Sequence, residues 1–209
     1  MNRIITIGRE FGSGGRELGR RLAERLGWAY YDNEIITEIA KKTELSENYV
    51  RNIVERRPML QYPIHVGSTF YGVQNTQLEQ GAWIFREQCN ILKEMAEKSN
   101  CVIVGRCADY ILRDYDPFRI FVYADIEKKI ARCKQKGSPE EDYTNAQLRK
   151  KIKSVDKNRA QYYNFYTGKK WGKHDNYHLA IDSAVLGVEG TAQLLAQAVR
   201  AFMKANEEK

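Results

Sequence analysis

Between Gly8 and Gly15 this chain carries four glycines and a serine, set between a β-branched run and a helical pattern. The stretch reads Ile4-Ile5-Thr6-Ile7-Gly8-Arg9-Glu10-Phe11-Gly12-Ser13-Gly14-Gly15-Arg16-Glu17-Leu18, and Leu18, Leu22, Ala23 and Leu26 then share one helical face. Strand, glycine loop and helix in this order leave few options. Glycines let the backbone turn its N–H groups inward as an anion nest, and a helix N-terminus adds partial positive charge. The expectation is a phosphate-binding loop at the start of an α/β fold. A glycine-rich turn that binds nothing is the plain alternative.

The loop departs from the usual G-x-x-x-x-G-K-[ST] spacing. With Gly14 as its last glycine, the lysine and hydroxyl positions hold Gly15 and Arg16; with Gly15 as its last, they hold Arg16 and Glu17. Arg16 is the candidate replacement for the lysine, because a guanidinium also binds phosphate. Ser13 can meet a phosphate but comes too early for the usual metal role.

A chain of 209 residues with 43% hydrophobic content can build the core of one larger domain, so residues 1–209 are expected to form a single one. No apolar run approaches eighteen residues, which excludes a membrane-spanning helix. The first strand begins within three residues of the N-terminus, leaving no room for a signal peptide. Cys89, Cys101, Cys107 and Cys133 form no C-x-x-C pair, and His65, His174 and His178 show no zinc spacing with them. Reduced, mostly buried cysteines in a cytoplasmic protein fit best. The net charge of +7 suits nucleotide phosphates or nucleic acid, or reflects a solvated helical surface.

Along the chain, apolar runs alternate with helical periodicity. Strands are expected at residues 3–8, 28–32, 101–106, 118–124 and 177–182. Helices are expected at 16–26, from Asn33, from near Ser46, over 78–98, after Asp125, and over 188–204. Alternation of this kind implies a parallel sheet covered on both faces, with ligands beyond the strand C-termini. Gly8, Asp32, Arg106 and Asp125 all fall at or just after those ends. Between Arg56 and Gln80 the periodicity fades into a stretch rich in proline, glycine and aromatics. It is long for a connection and fits a ligand-covering segment. The aromatics of 56–85 would line either a homodimer face or an acceptor pocket. The acidic run Pro139-Glu140-Glu141-Asp142 reads as a solvated turn.

Residues 149–159 are strongly basic and precede Tyr162, Tyr163, Phe165, Tyr166 and Trp171. On a helix, Asp156 lies three residues before Arg159, a spacing that lets the carboxylate orient the guanidinium. Phosphoryl transfer depends mostly on positioning and positive charge, which a basic helix closing over phosphates would supply. Charge interleaved with aromatics can also bind single-stranded nucleic acid, and a solvated helix over an aromatic hairpin is the third reading.

With these motifs in hand, the chain resembles cytidylate kinase-like proteins of the P-loop nucleoside monophosphate kinase group over nearly its whole length. The resemblance rests on Ile7-Gly8-Arg9-Glu10-Phe11-Gly12-Ser13-Gly14-Gly15-Arg16-Glu17, on Tyr31-Asp32, and on Val104-Gly105-Arg106-Cys107-Ala108-Asp109. Asp156-Lys157-Asn158-Arg159 and Leu179-Ala180-Ile181-Asp182-Ser183 complete it. It implies a three-layer α/β/α P-loop NTPase fold with a parallel five-stranded sheet and a helical lid at about 135–175. It also implies an acceptor-side insert at 56–80. Transfer of a phosphoryl group from ATP, with magnesium, to a nucleoside monophosphate or similar small phosphorylated acceptor would be the reaction. Gly12, Ser13, Gly14, Gly15, Arg16 and Glu17 would bind the nucleotide phosphates, and Asp32, Arg106 and Asp109 would face the acceptor. Arg16, Arg159 and Asp156 would carry the chemistry. No residue set is assigned to a metal ion. The partners implied are small nucleotides rather than nucleic acid or membrane. The alternatives are a nucleotide sensor without turnover and a nucleic-acid binder.

Overall fold

The computed structural model describes residues 2–55, 76–137 and 143–207. The 56–75 part of the expected insert and the acidic 139–142 turn lie outside them. Five strands form one sheet: β1 (Ile4–Arg9), β2 (Ala29–Tyr31), β3 (Cys101–Val104), β4 (Phe118–Tyr123) and β5 (Leu179–Asp182). Their order is β2-β3-β1-β4-β5 and every pairing is parallel. Eight helices surround the sheet among the described residues: α1 (Gly15–Leu26), α2 (Glu34–Thr43), α3 (Glu47–Glu55), α4 (Thr76–Lys98), α5 (Ala108–Ile111), α6 (Ile126–Lys136), α7 (Asn145–Thr167) and α8 (Ser183–Glu207). The α/β P-loop fold expected from the sequence is the fold observed.

The two-residue period of a strand sorts its side chains between the faces of the sheet. Ile5 and Ile7 of β1 join Val102 and Val104 of β3 in one core, closed by Leu18 and Leu22 of α1 and Leu195 and Val199 of α8. Ile4, Cys101 and Ile103 face the other way, onto Ile35, Ile36 and Ile39 of α2, Ile91 and Leu92 of α4, and Tyr162 and Tyr163 of α7. A smaller cluster, Ile130, Leu148 and Ile152, joins α6 to the first half of α7.

Element ends follow local chemistry. Gly27 ends α1 in the left-handed conformation (φ 68°), and its N–H bonds back to Ala23 and Glu24. Asp125 caps α6 by accepting from the Glu127 amide at 2.8 Å, and Thr144 with Gln147 forms a capping box at the start of α7. Three boundaries differ from expectation. The helix expected from residue 78 begins at Thr76. The last strand starts at Leu179 rather than 177. The last helix starts at Ser183 rather than 188, because two helical segments meet at Gly187 (φ 66°, ψ 174°), where the backbone leaves helical geometry.

Candidate active site

The strand order reverses around β1, so a crevice opens beyond the C-terminal ends of β1 and β3. The glycine loop lies there. Gly12 and Gly14 are left-handed at φ 80° and 82°, and Gly14 is the N-cap of α1, with no side chain capping the helix. The first N–H groups of α1 have no partner within the helix. Ser13 is buried and shapes the loop from within. Its hydroxyl donates to Glu10 O at 2.8 Å and accepts from the Gly15 amide at 3.4 Å. The Ser183 hydroxyl donates to Ser13 O and ties the loop to the start of α8.

A buried carboxylate, Asp32 just past the end of β2, pairs with two guanidinium groups, and one of them, Arg9, also feels the charges of Arg106 and Arg159. Arg16 Nε lies 2.5 Å from one carboxylate oxygen and Arg9 Nη2 lies 3.5 Å from the other. Arg159 reaches from α7 and donates to Arg9 O at 3.2 Å. Arg106 closes the far side. Burial, and then the charge of Arg159, push the Arg9 pKa down to about 9, with Asp32 opposing and Arg106 and Arg16 adding to the fall. Three guanidinium groups acting on Arg9, opposed there by Asp32, make this a place where a phosphate would be favoured.

The backbone after β3 is unusual. Gly105, Arg106 and Cys107 are all left-handed, at φ 77°, 58° and 55°. A non-glycine residue in this region costs about 1–3 kcal/mol and persists only where the surroundings hold it. Gln88 of α4 is completely buried and donates to Arg106 O at 2.9 Å, while the Ala108 amide bonds Gly105 O at 3.0 Å. This turn aims Arg106 into the crevice. Asp109 sits just behind, buried, accepting from the Tyr163 hydroxyl at 2.6 Å. Burial raises its pKa above the ordinary aspartate value, although the Tyr163 bond pulls the other way. One pocket is lined by Gly8, Arg9, Arg106, Asp109, Arg159 and an aromatic wall that includes Tyr163 and Trp171.

Asp156 and Arg159 come together here, with more partners than helical spacing suggests. Asp156 accepts from the Phe11 amide of the loop at 2.7 Å and faces Lys129 of α6 at 3.4 Å. Lys129 is buried and also pairs with Glu10 at 2.9 Å. Burial raises the Asp156 pKa, while the Phe11 amide, Lys129 and Arg159 lower it. Glu17, in the first turn of α1, binds cations: Arg132 at 2.6 Å, Arg21 at 3.0 Å and Lys136 at 3.5 Å. Burial would raise its pKa, but these groups hold it below the ordinary value. The structure thus gathers the loop with Asp32, Arg106, Asp109, Asp156 and Arg159. It places Arg16 on Asp32, with the side chain largely exposed. Sequence reasoning passed over Arg9, Gln88, Lys129 and Arg132, which act across long stretches of chain.

The aromatics that follow the basic helix are mostly spent on packing. Tyr162 and Tyr163 are buried, Tyr166 stacks on Phe85 at 4.1 Å, and Trp171 meets Phe121 edge-on. Only Phe165 of the five is exposed, so a platform for stacked bases is not assembled. Among the described residues no helix is long and apolar enough to cross a membrane.

A parallel sheet of this order, with a glycine loop leading from its central strand into a helix, defines a P-loop kinase fold. Solved structures agree. An uncharacterized protein from Eubacterium ventriosum is 27% identical with a TM-score of 0.69, covering 95% of this chain and 99% of its own. Shikimate kinase from Bacteroides thetaiotaomicron (16% identity, TM-score 0.56, 95% and 98% covered) and a gluconokinase from Sinorhizobium meliloti (12%, 0.52, 98% and 97%) share the fold. The chain belongs to the cytidylate kinase-like family, whose model matches residues 4–185. No curated protein matches significantly.

Proposed function

We propose that this protein transfers a phosphoryl group from ATP to a nucleoside monophosphate or a similar small phosphorylated acceptor. The observation that carries the reading is the cluster of Arg16, Arg106 and Arg159 around Arg9, with Asp32 paired to Arg9 and Arg16, beside the glycine loop. Phosphoryl transfer asks a protein to align two phosphates and to offset charge on the oxygens between them. Arg159, seated between the loop and the crevice, would neutralise charge in the transition state, and Arg106 would hold the acceptor phosphate. A phosphate acceptor is nucleophilic as it stands, so no general base is required. A hydroxyl acceptor would need one, and Asp109 has the raised pKa such a base would use.

The residues present fit a nucleotide polyphosphate through the anion nest of Gly12–Gly15 and the α1 N-terminus. Magnesium, when bound, would neutralise charge on the phosphate oxygens. Among the described residues no group of three His, Cys, Asp or Glu side chains is placed to hold a metal. The cysteines are free, in keeping with a reducing, cytoplasmic setting.

The deciding measurement is ADP formation by the purified protein with ATP, magnesium and a panel of nucleoside monophosphates. ADP that appears only with one acceptor, such as CMP, dCMP or UMP, supports the reading and names the substrate. ATP binding by calorimetry with no turnover on any acceptor would leave a nucleotide sensor in its place. The loop favours that second reading in one respect: Gly15 or Glu17 stands where the usual lysine or hydroxyl would be.

A further inference from the structure

The glycine loop lacks its lysine, yet the crevice contains a buried cation that the usual motif does not have. In the register that ends on Gly14, the motif G-x-x-x-x-G-K places its first glycine at position 9 and its lysine at position 15. Here those positions hold Arg9 and Gly15. Glycine and cation have exchanged places.

The two positions share one volume. A Cβ added to Gly15 would lie 2.5 Å from Arg9 Cβ, closer than real Cβ atoms approach, and its next neighbours would be Arg9 Cγ and Val122. Only one of the two residues can carry a side chain. The far end of Arg9 lies against Gly105, just past β3. A Cβ on Gly105 would fall inside the Arg9 guanidinium, and Gly105 is already left-handed. Gly15 and Gly105 together form a channel that a single arginine side chain fills.

The cation is held where a phosphate would need it. Its side chain is 11% exposed and 3.5 Å from Asp32. Its carbonyl accepts from Arg159, and it lines the pocket with Arg106 and Asp109. Arg16, the substitute suggested by sequence, is mostly exposed and paired with Asp32. We infer that Arg9 supplies the loop's phosphate-binding charge in place of the lysine, and that Gly15 is glycine because Arg9 occupies its side-chain space. This assignment rests on the phosphoryl-transfer reading only for which phosphate is bound. The exchange itself is a property of the chain.

A double-mutant cycle on the full chain tests it, using Arg9→Gly, Gly15→Lys and the double variant that restores the usual order. The readouts are unfolding temperature without ligand and calorimetric affinity for ATP and for inorganic tripolyphosphate. Gly15→Lys alone should lower the unfolding temperature. Arg9→Gly should stay folded and lose at least tenfold in affinity for both ligands. The double variant should recover the stability lost in Gly15→Lys and bring affinity back to within a few-fold of the parent. Arg9→Gly binding as tightly as the parent, or a double variant no more stable than Gly15→Lys, would overturn the assignment. So would a parent chain that binds neither ligand. If the parent binds tripolyphosphate through Arg9 but does not bind ATP, the exchange stands and the kinase reading falls.

Discussion

Arg9 is held against its own electrostatic interest. Burial and three neighbouring guanidinium groups lower its pKa, which means that the folded chain is strained by its charge and that an anion would relieve it. Arg9→Met keeps most of the volume and removes the charge. It should raise the unfolding temperature of the ligand-free protein while weakening phosphate binding, two shifts of opposite sign from one substitution, read by calorimetry with and without tripolyphosphate. The proposed function puts Arg159 on the reaction rather than on the fold. Arg159→Ala should lower kcat by tenfold or more with less than about 1 kcal/mol lost in urea unfolding, in the range of substitutions away from the core. Asp109 yields a pH test. Its pKa is higher in the folded chain than the ordinary 3.8, so the fold holds its proton more tightly than the unfolded chain does. That contribution is complete below pH 3.8 and is lost as pH rises through the folded pKa. Asp109→Asn, which still accepts from Tyr163, should therefore be more stable than the parent at pH 7, and the gap should close on acidification.

At the scale of elements, α7 is fastened to the loop rather than hinged above it. Asp156 joins the Phe11 amide, Lys129 and, through its neighbour Arg159, the end of β1. Lys129→Met leaves Glu10 and Asp156 facing each other without their shared cation. The loss should be about 2–3 kcal/mol in urea unfolding, below the value for a fully buried pair because Glu10 is partly exposed. Much of this architecture was legible in the chain. The strand at Cys101–Val104 and its Gly-Arg exit follow from a short β-branched run, and the glycine loop follows from composition. Lys129, Gln88 and Arg132 were not legible. Each is an ordinary polar residue at an ordinary helical position, and its role appears only when α6 or α4 is laid across the ends of β1 and β3. Arg9 lay in plain view within the motif. It stands six residues before the position that lacks the lysine. The kink at Gly187 left no periodic signal, because the helical pattern resumes on both sides of it.

For the molecule as a whole, four arginines from β1, α1, α7 and the turn after β3 come together in one crevice, so ligand binding and global stability should be linked. A nucleotide at one hundred times its dissociation constant adds about 2.7 kcal/mol to unfolding, or roughly 5–10 °C for a chain of this size. Thermal unfolding across an ATP titration checks this, and a flat response would count against a formed nucleotide site. Raising ionic strength should shrink the shift, since part of the attraction comes from the exposed Arg16, which salt screens more than Arg9.

The shared space between positions 9 and 15 also bears on how such a chain could change over generations. Starting from arginine at 9, a lysine gained at 15 collides with the residue already there. An arginine lost from 9 empties the channel and removes its charge. Each single step passes through an impaired intermediate, so the two arrangements are separated by a fitness valley that only paired substitution crosses. On this assignment the glycine-then-lysine signature would miss a chain of this kind, because its cation stands six residues earlier.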